Sequence, residues 1–180
     1  MRFGRGLVLW LIVGGLVVAG CGIGASGKVV TFPPASVWPG STVTPAVALT
    51  RTAIVNALTP YSLQLRNADQ PFRPAESARL ASAPREVYQV FLPNDPDGAY
   101  VVVYEFRDAA AAVDAGNELA GYLGTGAARV NFPLDAQHSI RQVGTTLIFY
   151  TWAPSTSLDP GSKTIADALA TLGIGFAPPR

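Results

Sequence analysis

The chain reads as an α+β domain: an antiparallel sheet of four or five strands with helices packed across it, built from two ββα units preceded by an N-terminal helix. Three observations predict this. Two runs dense in β-branched and aromatic residues, Tyr100 to Phe106 and Thr146 to Trp152, each follow another strand-like run across a short turn. A helical pattern follows each hairpin, and another opens the region at Thr44-Pro45. Hairpins that lead into helices pack as a sheet with helices laid across it.

The elements follow in order. Thr44 supplies a hydroxyl N-cap and Pro45 the first helical position, where a missing N–H costs nothing. Val47, Ile54 and Leu58 recur at helical spacing until Thr59-Pro60 stops the run. Tyr61 to Pro84 is mostly irregular, with one short helix at Ala75 to Leu80. Val87 to Leu92 predicts a strand, and Asn94-Asp95-Pro96-Asp97-Gly98 a turn with Gly98 suited to positive φ. Tyr100 to Phe106 completes the hairpin. Asp108 caps an alanine-rich helix over Ala109–Leu123, with Leu119 and Leu123 on its apolar stripe and Gly124 as its stop. Val130 to Phe132 predicts a short strand. His138 to Val143, a tight turn at Gly144, and Thr146 to Trp152 form the second hairpin. Asp159-Pro160 then caps a helix bearing Ile165, Ala166, Leu169 and Leu172 on one face, ended by Gly173.

The two halves also match in detail. Val101–Phe106 aligns with Leu147–Trp152, and each half closes on Leu-Gly-x-Gly, at Leu123–Gly126 and Leu172–Gly175. Either a duplicated ββα unit or convergence on shared helix-stop and strand rules accounts for this.

Ahead of the domain, Arg2 and Arg5 precede an apolar run from Leu7 to Val18 that ends in Val18-Ala19-Gly20-Cys21. A basic start, a short apolar stretch and small residues before a cut site make an export signal. The run is too short for a spanning helix, which needs about 20 apolar residues. The four residues at 18–21 resemble the lipobox of bacterial lipoprotein precursors. That resemblance implies cleavage before Cys21, a diacylglycerol thioether on its sulfur, and a lipid anchor to a membrane of the cell envelope. The chain then divides into a signal peptide at 1–20, the lipidated cysteine and a flexible tether at 21–43, and one domain at 44–180. The tether is rich in Gly, Ser, Thr and Pro. Its Phe32 and Trp38 either anchor at the membrane interface or pack on the domain.

Composition narrows the function. Without Arg2 and Arg5, eleven basic residues face twelve acidic ones, which leaves no footprint for nucleic acid and little attraction to anionic lipid. Cys21 is the only cysteine, so the domain has no internal disulfide. No cofactor or metal site is predicted. The one histidine, His138, is too few for zinc, and no Gly-x-Ser-x-Gly elbow accompanies it. With Gly98 as the sixth residue of a calcium loop, Pro93 and Tyr104 would fall at positions one and twelve, where neither coordinates. Gly124-Thr125-Gly126 follows a helix and so lacks the strand-to-helix setting of a dinucleotide loop. Glu105, inside an apolar strand, can pair with Arg141 on the neighbouring hairpin, either as a polar spot in a ligand groove or as a cross-strand pair on a wet face.

The remaining signal is aromatic. Tyr100, Tyr104 and Phe106 share one side of their strand, and Tyr150 and Trp152 one side of theirs. Either helices cover both sheet faces, or one face is an exposed aromatic surface for a protein partner or small ligand. The expected function is a non-catalytic binding or accessory domain held outside the cytoplasm. A small extracytoplasmic hydrolase using His138 is the alternative.

Overall fold

The computed structural model describes residues 43–179. The predicted signal peptide, Cys21 and the tether residues 22–42, Phe32 and Trp38 among them, lie outside the described residues. The first helix, α1 (Pro45–Leu58), starts where its cap signals place it: the Thr44 hydroxyl accepts the Val47 N–H at 3.3 Å. Five helices and six strands follow one another among the described residues: α1, β1 (Leu65–Asn67), α2 (Ala78–Ser82), β2 (Arg85–Val90), β3 (Tyr100–Glu105), α3 (Ala109–Leu123), α4 (Gly126–Arg129), β4 (Gln137–Val143), β5 (Thr146–Trp152), α5 (Gly161–Leu169) and β6 (Ile174–Phe176). No helix among them is long and apolar enough to cross a membrane.

The six strands form one antiparallel sheet in the order β1-β2-β3-β5-β4-β6. β3 and β5 pair at the centre, with Val101 opposite Tyr150 and Tyr104 opposite Leu147. Two strands that both pair antiparallel with a third run parallel to each other. β3 and β4 are therefore parallel across β5, and β5 and β6 parallel across β4. Both connections, through α3 and through α5, step toward the β6 edge, but from strands of opposite direction. Right-handed crossovers then require the two helices to lie on opposite faces. They do. α3 packs Ala115, Leu119 and Leu123 on Val102, Tyr104, Ile140, Leu147 and Phe149. On the other face α1 and α5 set Val47, Ile54, Leu58, Ile165 and Leu169 against Tyr88, Val101, Val103, Ile148 and Tyr150.

Several elements differ from the sequence reading. The sheet has six strands, not four or five, because β1 and β6 add three-residue edges. Val130–Phe132 forms no strand: the Thr125 hydroxyl caps the single turn of α4, and Asn131 and Phe132 donate back to Ala128 and Arg129 as that turn unwinds. β2 runs two residues earlier than expected, and α2 begins at Ala78 instead of Ala75. In the β2–β3 turn, Ala99 takes the left-handed conformation (φ +59°), not Gly98. Gly98 is small for another reason: a Cβ there would run into the Asp95 carboxyl. At α5 the cap position is Pro160, and Asp159 acts one residue earlier, its carboxylate accepting the N–H groups of Gly161 and Asn94.

Candidate functional site

The five aromatics proposed as a binding face divide between the two sheet faces, and helices cover both. Tyr104 is fully buried under α3 and Phe106 packs at the edge of that core, whereas Tyr150 is buried under α5 with Trp152 beside it. Tyr100, on the Tyr104 side, is stacked by Phe72 at 4.4 Å between ring centroids. They are core and core margin, and at the strand ends Tyr100, Tyr150 and Trp152 share the wall of a recess of about 240 Å³ with Asp95, Asp97 and Ser162. Burial raises the phenol pKa of both Tyr104 and Tyr150. Each hydroxyl has a partner: Tyr150 donates to the Ser162 carbonyl at 3.0 Å, and Tyr104 to the Glu76 carboxylate.

Glu105 and Arg141 do not pair. β5 lies between their strands, and each finds another partner: the Thr44 hydroxyl donates to Glu105 at 2.8 Å, while Arg141 donates to the carbonyls of Leu172 and Gly173. The buried acid that matters is one the sequence did not single out. Glu76 accepts from Arg73, Arg85 and Tyr104, and its side chain is only 3 % exposed. Such a carboxylate is tolerable inside a fold only when its oxygens are filled by donors. It ties the long loop before α2 to β2 and β3, which is a structural role.

His138 lies near the start of β4 in a groove of about 570 Å³. Three stretches wall it: the end of α3 through α4 (Leu123, Arg129), the loop into β4 (Phe132, Pro133, Leu134, Ala136 and Gln137, but not Asp135), and the tail Phe176–Pro179. The tail is seated by two glycines, Gly116 within α3 and Gly124 at its C-cap. A Cβ at Gly116 would collide with the Phe176 ring, and one at Gly124 with Pro179. Phe132 meets the His138 ring edge-on at 4.9 Å, and Phe149 lies beneath it. Burial lowers the His138 pKa, so the neutral imidazole is favoured. Its Nδ1 is 3.0 Å from the Thr151 hydroxyl. Thr151 is not on the groove wall, so that hydroxyl orients the ring and does not meet a substrate there. The wall holds Arg129, Gln137 and His138 as its polar side chains, beside Phe, Leu, Pro and Ala.

A second recess of about 560 Å³ lies between α1 and the β1–β2 edge, with Arg51, Glu86 and Tyr88 on its wall. The Arg51 guanidinium sits 5.7 Å from the centre of the Tyr88 ring. The turn at Asn94–Gly98 brings Asp95 and Asp97 near Asp159, and burial together with those neighbours raises the Asp95 pKa. Among the described residues no group of three or more His, Cys, Asp or Glu is placed to hold a metal ion. Compared with protein-family models, with curated proteins and with solved structures, the chain matches none of them.

Proposed function

We propose that this chain is an extracytoplasmic lipoprotein, anchored through Cys21, whose domain binds a partner without catalysis in the groove beside His138. The groove supports this reading. It is concave, and apolar side chains share its wall with the polar groups of Arg129, Gln137 and His138, a mixture that binding clefts use for contact and orientation. The lipobox supports the anchor. The hydrolase alternative would need a nucleophile or an acid to work with His138 at the groove wall, and that wall offers a guanidinium and an amide. The likeness between the two hairpin–helix units belongs to shared architecture and not to a duplication.

Two measurements test the proposal. Wild-type precursor should incorporate radiolabelled palmitate and Cys21→Ala should not; equal labelling would overturn the anchor. A photo-cross-linking residue at Leu134, on the groove rim, should capture a discrete product in cells that Asn56, exposed on α1, does not. Identical products from both positions would remove the groove from consideration.

A further inference from the structure

The groove borders a strand edge that is left unpaired. β4 spans seven residues, but β6 pairs with it only from Ile140 to Gln142. Beyond Phe176 the tail runs on as Ala177-Pro178-Pro179, and proline has no N–H to give to a ladder. Among the described residues no backbone hydrogen bond joins Gln137–Ser139 to Ala177–Pro179. The half of β4 that carries His138 therefore keeps edge N–H and C=O groups that a further strand could pair. The same groove has a charge to match. Among the described residues the Arg129 guanidinium has no hydrogen-bond or ion-pair partner, and none of those that line the groove carries a carboxylate. Leu134, on the rim, is fully exposed (103 %).

We propose that the groove accepts an extended, carboxylate-bearing segment of a partner protein, which adds to the free edge of β4 and places its carboxylate on Arg129. This rests on the reading of the groove as the binding surface. The backbone edge supplies affinity for an extended chain of many sequences, and the apolar wall at Phe132 and Phe176, with Leu134 on the rim, favours apolar side chains at alternate positions. Arg129 recognises the carboxylate by a charge-assisted, two-pronged hydrogen bond. A neutral His138 leaves Arg129 as the only full charge on the wall among the described residues.

The test uses random dodecapeptides with free C-terminal carboxylates, displayed and panned on the full-length protein in detergent. Selected peptides should show an alternating apolar pattern, and a fluorescent copy should bind saturably by anisotropy. Methylating alternate backbone nitrogens, which removes strand hydrogen bonds without removing side chains, should weaken binding at least about tenfold. Arg129→Ala and C-terminal amidation should each weaken it about three- to tenfold, and should not add when combined. Selected peptides that bind the methylated and Arg129→Ala forms unchanged would overturn strand addition. So would a panning that enriches nothing while the Leu134 cross-link persists, an outcome that leaves the binding domain standing. Loss of both would bring down the two readings together.

Discussion

The β2–β3 hairpin and the β4–β5 hairpin share a residue pattern, yet their matched tyrosines point to opposite sides of the same sheet. Tyr104 sits under α3 and donates to a buried carboxylate; Tyr150 sits under α5 and donates to a backbone carbonyl. A twofold axis through the sheet would have put both on one face. The chain instead makes two crossovers that step the same way from strands of opposite direction, and handedness sends their helices apart. Local likeness fixed the elements, and the order of connection fixed which face each residue meets. The consequence is a sheet covered on both sides, with the groove beside His138 at the β4 edge and not on either face.

The comparison breaks most visibly in the centre. Phe149→Ala and Tyr150→Ala remove neighbours on opposite faces, both nearly without exposure. Each should cost about 3–5 kcal/mol in denaturant unfolding. A difference of more than about 2 kcal/mol between them would mean that one cover is loose. Next come the two hydroxyls. Tyr104→Phe strips a donor from a buried carboxylate and should cost about 1.5–3 kcal/mol, against about 0.5–1.5 for Tyr150→Phe. Equal losses would show that Glu76 keeps its charge satisfied through Arg73 and Arg85 alone.

The paired Leu-Gly-x-Gly stretches sharpen the contrast further. Gly173 has φ +41° and a Cβ there would strike the Gln142 carbonyl, whereas Gly124 is right-handed helical and nothing lies within 4 Å of a Cβ at Gly126. Gly173→Ala should cost about 1–3 kcal/mol through backbone strain, while Gly126→Ala stays within about 0.5 kcal/mol. A silent Gly173→Ala would mean that the turn into β6 adapts freely.

The smallest effect is a pH dependence in the second half. Burial holds the His138 pKa below its ordinary value, so the unfolded chain binds the proton more readily. Stability attached to the neutral ring is present above about pH 6.5 and declines as the pH falls from there toward the folded value. The melting temperature should drop between pH 7 and pH 5, and His138→Gln should flatten that slope. An unchanged slope would assign it to other groups.

What could be read from residues alone follows from length and period. α1, α3, β3 and β5 are long enough for their spacing to show, and the caps at Thr44 and Asp108 hold as written: Asp108 accepts the Ala111 N–H at 2.7 Å. β1 and β6, at three residues each, are too short for any alternation to register. Without β6 the second crossover could not be seen, and so neither could the covering of both faces. Val130–Phe132 looked like a strand because its residues suit one, but a capped turn immediately before it took those backbone groups. The groove escaped because its walls come from separate stretches, with His138 the one member already in view. Gly116 within α3 and Pro178-Pro179 after β6 were the available signals: a helical glycine that makes room, and a tail that cannot pair.

The way α1 is fastened has a mechanical side. Its cap residue Thr44 also bonds Glu105 at the end of β3, and one turn and a half further on Thr50 meets Thr146 of β5 through a buried hydroxyl pair at 2.7 Å. Beside these two polar links, α1 packs Val47, Ile54 and Leu58 with Tyr88 and Val90 of β2 and with Ile165 and Leu169 of α5. A load applied at residue 43 is therefore shared between two hydroxyl contacts near the start of α1 and the apolar seam behind them, so slippage of the helix would have to break both kinds of contact.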